Sequence, residues 1–196
     1  MVFAFVDCYQ VLAQNNEAEL IEIVNEHREE KHGEFKDKES TPLNKEQLSE
    51  FEGLHYFDID RRYNIRGKFK RTSNESSFKM KTSTDRLPEY IKYGKISFEM
   101  DGKEFSLSVY QNVALVKNKE YEDYLFIPFT DETNGDETYG GGRYIDFRIP
   151  ESEDVYLNFN LCYSPYCAYN HKYSCPIPPK ENDLPIKISA GEKMYQ

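Results

Sequence analysis

An aspartate-glycine pair set between two alternating runs constrains this chain more than any other feature. Ile96, Phe98 and Met100 share one parity before Asp101-Gly102, and Phe105, Leu107 and Val109 share one after it, interleaved with Ser106, Ser108 and Tyr110. A two-residue connection needs positive φ at both central positions, which Asp-Gly supplies at small cost. Period-two alternation then sends each apolar set to one face. The pair predicts a β-hairpin with one face in a core and the other in water.

The same period runs through most of the chain beyond Leu54. Arg62 to Lys70, Phe78 to Thr82, Tyr90 to Met100, Tyr124 to Phe129, Arg143 to Ile149, Val155 to Phe159 and Leu184 to Ser189 read as further strands. About eight antiparallel strands of similar length protect their edges by curling into a barrel or stacking as a two-layer sandwich. The fold class expected is therefore mainly β, with one or two N-terminal helices packed against the sheet. Asn15 or Asn16 caps the first helix, which begins at Glu17, carries Leu20, Ile21, Ile23, Val24 and His27 along one stripe, and ends at Gly33. Asn44 and Gln47 fit a capping box, so Lys45 to Phe51 forms a second helix closed by Gly53. With 196 residues and no repeat, one domain is expected over 15–196. A helical lid over 15–53 would cover a β body over 54–196, behind a flexible or truncated segment over 1–14.

Composition excludes some functions. Trp is absent while Tyr and Phe are abundant, so the core rests on aromatics. A net charge of −10 opposes a polyanionic partner. The one dense basic stretch, Arg61 to Arg71, alternates with Tyr63, Ile65 and Phe69 and reads as the wet face of a strand. No nucleic-acid partner is expected. No apolar run approaches the roughly 20 residues of a membrane span. Met1 to Val6 is apolar but lacks the basic flank of a signal peptide. The alternative is the stump of an export signal whose start lies upstream, with Cys8 near a lipid-anchor position.

Two stretches carry candidate chemistry. Thr130 to Arg143 joins two strands and ends in Gly140-Gly141-Gly142-Arg143; open backbone and a guanidinium there suit a carboxylate or phosphate. Its carboxylates Asp131, Glu132, Asp136 and Glu137 suggest calcium instead, without the twelve-residue loop spacing. A solvated connection with a glycine bulge is the plain reading, and a Glu137–Arg143 pair is expected across the turn. The second stretch, Phe159 to Pro179, holds Cys162, Cys167, His171 and Cys175 among four tyrosines. It has too many turn-formers for a helix and too little alternation for a strand, so it is an ordered loop. Its spacing lacks the tight Cys-x-x-Cys of a zinc site, and no metal and no cofactor are expected. A Cys167–Cys175 disulfide, buried thiols, or a Cys–His nucleophile are the other readings.

Glu137-Thr138-Tyr139-Gly140-Gly141-Gly142-Arg143-Tyr144, Phe159-Asn160, Tyr163, Pro165, Cys167-Ala168-Tyr169 and Tyr173-Ser174-Cys175-Pro176-Ile177-Pro178-Pro179, with Asn182, Leu184 and Ala190-Gly191-Glu192, resemble the bacterial family filed as domain of unknown function 1684. Phe51-Glu52-Gly53-Leu54 and Tyr56-Phe57 fit it too. Cys162 departs from it, standing where the pattern tends to alanine, and Ser164 stands where it tends to asparagine. The resemblance implies no established activity. It supplies only Cys167 and Cys175 of the four possible ligands, and export signals in similar proteins favour the disulfide.

The functional expectation is a β module that binds a small polar or anionic ligand between the Gly140–Arg143 turn and the Phe159–Pro179 loop, through Glu137, Tyr139, Arg143, Asn160, Tyr163, Tyr169 and His171. The alternatives are a hydrolase using Glu137 or His171 with Arg143, and a purely structural loop.

Overall fold

The computed structural model describes residues 17–195. The expected cap at Asn15 or Asn16, the segment 1–14 and Cys8 lie outside them. Helix α1 spans Glu17–Lys36 and α2 spans Lys45–Glu50. Eight strands follow: β1 Asn64–Arg71, β2 Phe78–Lys79, β3 Glu89–Met100, β4 Lys103–Asn112, β5 Tyr124–Asp131, β6 Arg143–Arg148, β7 Asp154–Asn158 and β8 Asp183–Leu184. They form one curled sheet in the order β6-β5-β4-β3-β1-β7, with β2 beside β3 and β8 beside β5.

The Asp101-Gly102 hairpin forms as its sequence requires. Asp101 and Gly102 have φ of 51° and 71°, and Met100 pairs with Lys103 across the turn. Alternation then fills the inner face with Ile65, Phe69, Ile96, Phe98, Leu107, Val109, Leu125, Ile127, Phe129, Ile145, Phe147, Val155 and Leu157. The basic residues of β1 fall outward: its burial alternates, and Asp154 pairs with both Arg66 at 3.0 Å and Lys68 at 2.8 Å.

Strand β5 is buried on both faces. Leu125, Ile127 and Phe129 enter the inner core, whereas Phe126 joins an outer cluster of Met80, Tyr90, Tyr110, Tyr144, Cys167 and Cys175. A half-solvated sheet would leave that outer face wet. Here the Phe159–Pro179 loop covers it, pairing at one end with β6 through Tyr144 and Tyr163 and at the other with Thr82 through Pro176.

Three sequence expectations are corrected, the first being the strand expected over Phe78 to Thr82, which shrinks to Phe78–Lys79. Helix α1 runs through Gly33 to Lys36 because Phe35, 2% exposed, buries itself against Leu43, Leu54 and Tyr169; that burial outweighs the ~1 kcal/mol a mid-helix glycine costs. The strand expected over Leu184 to Ser189 shrinks to β8, a two-residue parallel pairing with Thr130 and Asp131. Beyond it the backbone serves β5 differently, with Ile186 C=O accepting from Glu132 N–H at 3.0 Å.

Strands β4 and β5 share a single registered pair, Tyr110 with Phe126, and then splay. Asn182, fully buried, fills the gap. Its Oδ1 accepts from Ser108 N–H at 2.7 Å, and its Nδ2 donates to Ser108 C=O at 2.9 Å and Pro128 C=O at 2.7 Å. One side-chain amide thus stands in for a missing peptide unit between the strands. Asn182→Ala would orphan these buried backbone groups and is expected to destabilise the fold by about 3 kcal/mol in urea unfolding. A loss well under about 1 kcal/mol would show that the strands close without the amide.

Candidate functional site

The turn between β5 and β6 is built around a buried ion pair. Residues 129 and 143 face each other across the ladder, and Asp131 continues the inward parity of Phe129. Both Arg143 and Asp131 therefore point into the core. Nη2 of Arg143 meets Asp131 Oδ2 at 2.8 Å with both side chains fully buried. The guanidinium also donates to Ile188 C=O at 2.8 Å and to Ala190 C=O. Asp131 Oδ1 accepts from Thr133 N–H at 2.9 Å, Thr133 Oγ1 at 2.6 Å and Ile188 N–H at 3.2 Å. Gly142, at φ 90°, is forced: a Cβ there would meet Phe129 O at 2.5 Å.

This arrangement corrects the expected Glu137–Arg143 pair. Glu137 instead meets Lys187 at 3.2 Å on the surface. Sequence proximity favoured Glu137; the parity of β5 singles out Asp131. Arg143 is thereby neutralised and out of reach as an anion holder, and Asp131 is out of reach of calcium. His171 is exposed, and among the described residues no hydrogen bond or ion pair joins it to Glu137 or Arg143.

The Phe159–Pro179 loop is irregular, as its sequence predicts, with short 3-10 turns at Phe159–Leu161 and Tyr166–Ala168. Asn160, fully buried, exchanges two hydrogen bonds with the Asp60 backbone at 3.0 and 2.9 Å. Tyr169, 5% exposed, donates its hydroxyl to Glu192 and packs edge-on against Phe35 at 4.7 Å. Asn160 and Tyr169 hold the loop down. The glycine turn does reach the loop: the Tyr139 hydroxyl lies 3.7 Å from Cys167 Sγ. A cleft of about 910 Å³ lies elsewhere, on a sheet face lined by Arg66, Lys68, Lys95, Ser97, Glu104 and Asp154.

The three described cysteines are free and divide between the two faces. Cys162 belongs to the inner core, its sulfur 3.5 Å from Ala190 C=O, and burial pushes its thiol up to about 11. Cys167 and Cys175 belong to the outer cluster, with Cys167 N–H donating to Cys175 Sγ at 3.2 Å.

On the outer face of β6, Asp146 is exposed, and its Oδ1 accepts from the hydroxyls of Tyr124 and Tyr163, each at 2.6 Å. Burial, and then the Asp146 charge, hold both phenols protonated far above their ordinary value of 10.0, so both remain donors. Helix α1 reaches over the same ground. Lys31 Nζ sits 5.0 Å from the Tyr163 ring and pairs with Glu34 at 3.0 Å, and Glu34 in turn accepts from Tyr166. His27 is held neutral, lowered to about 4 by burial and by Lys31. Sequence reasoning named Tyr163 and missed Tyr124 and Asp146. The signal was present, since outward parity across β5 and β6 puts Phe126 opposite Asp146 and Tyr124 diagonal to it.

Behind the loop, Glu192 is 2% exposed and burial raises its carboxyl from 4.5 to about 7. It accepts from Tyr169 and, at 3.3 Å, from Ser164 N–H.

Residues 49–193 match the family described as protein of unknown function, DUF1684. Among solved structures, the chain is similar to the solution NMR structure of the uncharacterized protein from gene locus rrnAC0354 of Haloarcula marismortui. The two are 32% identical with a TM-score of 0.69, and the match covers 88% of this chain and 93% of that one. No curated protein matches.

Arg143→Met leaves the Asp131 carboxylate buried without its cation and is expected to cost about 3–5 kcal/mol in chemical denaturation. Adding Asp131→Asn should recover part of that loss; a double variant no better than the single would show that the pair is not the cause. Glu192 gives a pH test. Its folded value exceeds the unfolded one, so the folded state binds the extra proton between pH 4.5 and about 7. Stability from this group is full below 4.5 and lost as pH rises through 7, on the order of 3 kcal/mol in all. His27 runs the opposite way over pH 4 to 6.5, so the comparison is between the parent and Glu192→Gln. The variant should gain on the parent as pH rises from 5 to 8, and parallel stability curves would refute a buried titrating carboxyl.

Proposed function

The chain belongs to the DUF1684 family of proteins of unknown function, and we propose that it is a binding module for a small polar ligand bearing a cationic or hydrogen-bond-donating head. The site is the Asp146 cradle where β5, β6, the tyrosine-rich loop and α1 meet. The observation that carries this reading is the convergence of two tyrosine hydroxyls on one oxygen of an exposed carboxylate. Those donors fix the orientation of a carboxylate on an exposed residue, where a ligand can reach it. The surrounding phenol rings offer the faces that attract a cation, as Lys31 over Tyr163 does within the chain. The net charge of −10 draws cations toward the chain as a whole.

The sign of the ligand therefore differs from the anionic one expected from Arg143, whose charge is spent on Asp131. Asn160 and Tyr169, spent on Asp60 and Glu192, support a structural role for the part of the loop nearest the inner core. Tyr139 and Tyr163 remain on its outer side.

The test is a titration of isotope-labelled protein with matched panels of small amines, quaternary ammonium compounds, carboxylates and phosphates. Amines are expected to shift the amide resonances of Tyr124, Asp146 and Tyr163. Asp146→Asn should weaken that binding about 10- to 100-fold, the worth of a charge-assisted hydrogen bond. Preference for carboxylates or phosphates, or an affinity indifferent to Asp146→Asn, would refute the site.

A further inference from the structure

On the same outer face, but independent of Asp146, two sulfurs meet. Cys167 and Cys175 are both free, and the loop between them folds back so that Cys167 N–H donates to Cys175 Sγ at 3.2 Å. The Tyr139 hydroxyl, delivered by the glycine turn, lies 3.7 Å from Cys167 Sγ. Cys175 is clamped by backbone: its N–H donates to Ser83 Oγ at 3.1 Å and its C=O accepts from Ser83 N–H at 2.8 Å. Both cysteines are buried, at 5% and 8% exposure, beneath a rim formed by the exposed Ser83, Thr84 and Arg86. Arg86 is held over Ser174, its Nη2 donating to Ser174 C=O at 2.7 Å.

Each sulfur of the pair has a polar partner, Cys167 N–H on Cys175 Sγ and the Tyr139 hydroxyl beside Cys167 Sγ. Cys162, packed in the inner core with its sulfur against the Ala190 carbonyl, is instead raised by burial. We propose that Cys167 and Cys175 are a dithiol site for exchange with a small disulfide carrying carboxylates, Cys167 attacking and Cys175 resolving. The shared hydrogen bond lowers Cys167 to about 6 and pushes Cys175 up, so at neutral pH the pair holds one thiolate and one thiol. The Cys167 thiolate attacks one sulfur of the disulfide; the S–S bond breaks and the first half leaves as a thiolate with the bonding pair. Cys175 then gives up its proton and attacks the Cys167 sulfur, expelling the second half. The protein pair is oxidised by two electrons and the small disulfide is reduced to two thiols, which take the Cys175 proton and one more from solvent. Arg86 at the rim supplies the charge that a carboxylate-bearing disulfide meets first.

The experiment uses the full chain carrying Cys8→Ser, titrated with mixtures of reduced and oxidised glutathione and read by alkylation and mass spectrometry. Reversible loss of two hydrogens per chain, mapped to Cys167 and Cys175, is expected. In the same protein, the alkylation rate of Cys167 should rise through an apparent pKa near 6. Adding Cys175→Ser should trap glutathione on Cys167 and return its alkylation to the ordinary thiol range of about 8.5. Arg86→Ala should slow exchange with oxidised glutathione several-fold, and exchange with hydroxyethyl disulfide much less. A pair that stays reduced, a disulfide that glutathione does not exchange, or glutathione trapped on Cys175 would each overturn the proposal. So would alkylation of Cys167 with an unshifted thiol profile, a reading that requires no second variant to fold.

Discussion

The structure depends on one buried ion pair. Taking Arg143 and Asp131 out of water costs several kcal/mol per ion, and their attraction offsets this only when the remaining donors and acceptors are met. Meeting most of them recruits distant pieces of chain: Ile188 and Ala190 supply carbonyls to the guanidinium, whose Nε is left unpartnered among the described residues, while Thr133 and the Ile188 N–H close the carboxylate. The pair thus fixes the β5–β6 turn, draws the 186–192 segment across the sheet and places Glu192 behind the tyrosine-rich loop. An apolar pair of similar volume would fill the same space but would not specify which segment crosses there.

From that anchor the two faces of β5 take different roles. The inner face is conventional core. The outer face is covered by a loop rather than by a second sheet, and a loop covering an apolar surface brings polar backbone and side chains with it. Polar groups therefore gather there, around Asp146 and the Cys167–Cys175 pair.

Much of the fold was legible because alternation is a local signal. The hairpin at Asp101-Gly102 and the capping box at Asn44 and Gln47 both formed as read. The end of α1 was not legible, since Phe35 overrides Gly33 through contacts with residues far along the chain. The strand expected from Leu184 was also misread: its apolar residues enter the core from an irregular segment, and periodicity cannot tell these apart. The candidate site was half legible. The sequence located the loop and Tyr163, but it gave Arg143 to the nearest carboxylate, because choosing Asp131 needs the register of β5 against β6. Tyr124 and Asp146 escaped for the same reason: each is unremarkable alone, and only cross-strand pairing brings them together.

The amide of Asn182 has a consequence for the order in which the chain can settle. It bridges strands that precede it by 54 and 74 residues, and the carbonyls that satisfy Arg143 lie 45 and 47 residues downstream of it. During synthesis, the hairpin of β3 and β4 can close as soon as it leaves the ribosome. The seam between β4 and β5 cannot, and Arg143 meets its acceptors only when the segment from 182 to 192 has emerged. Contacts of such long sequence separation slow folding. Until they form, the nascent sheet presents an open seam and an incompletely satisfied charge to its surroundings, the kind of intermediate that chaperones hold.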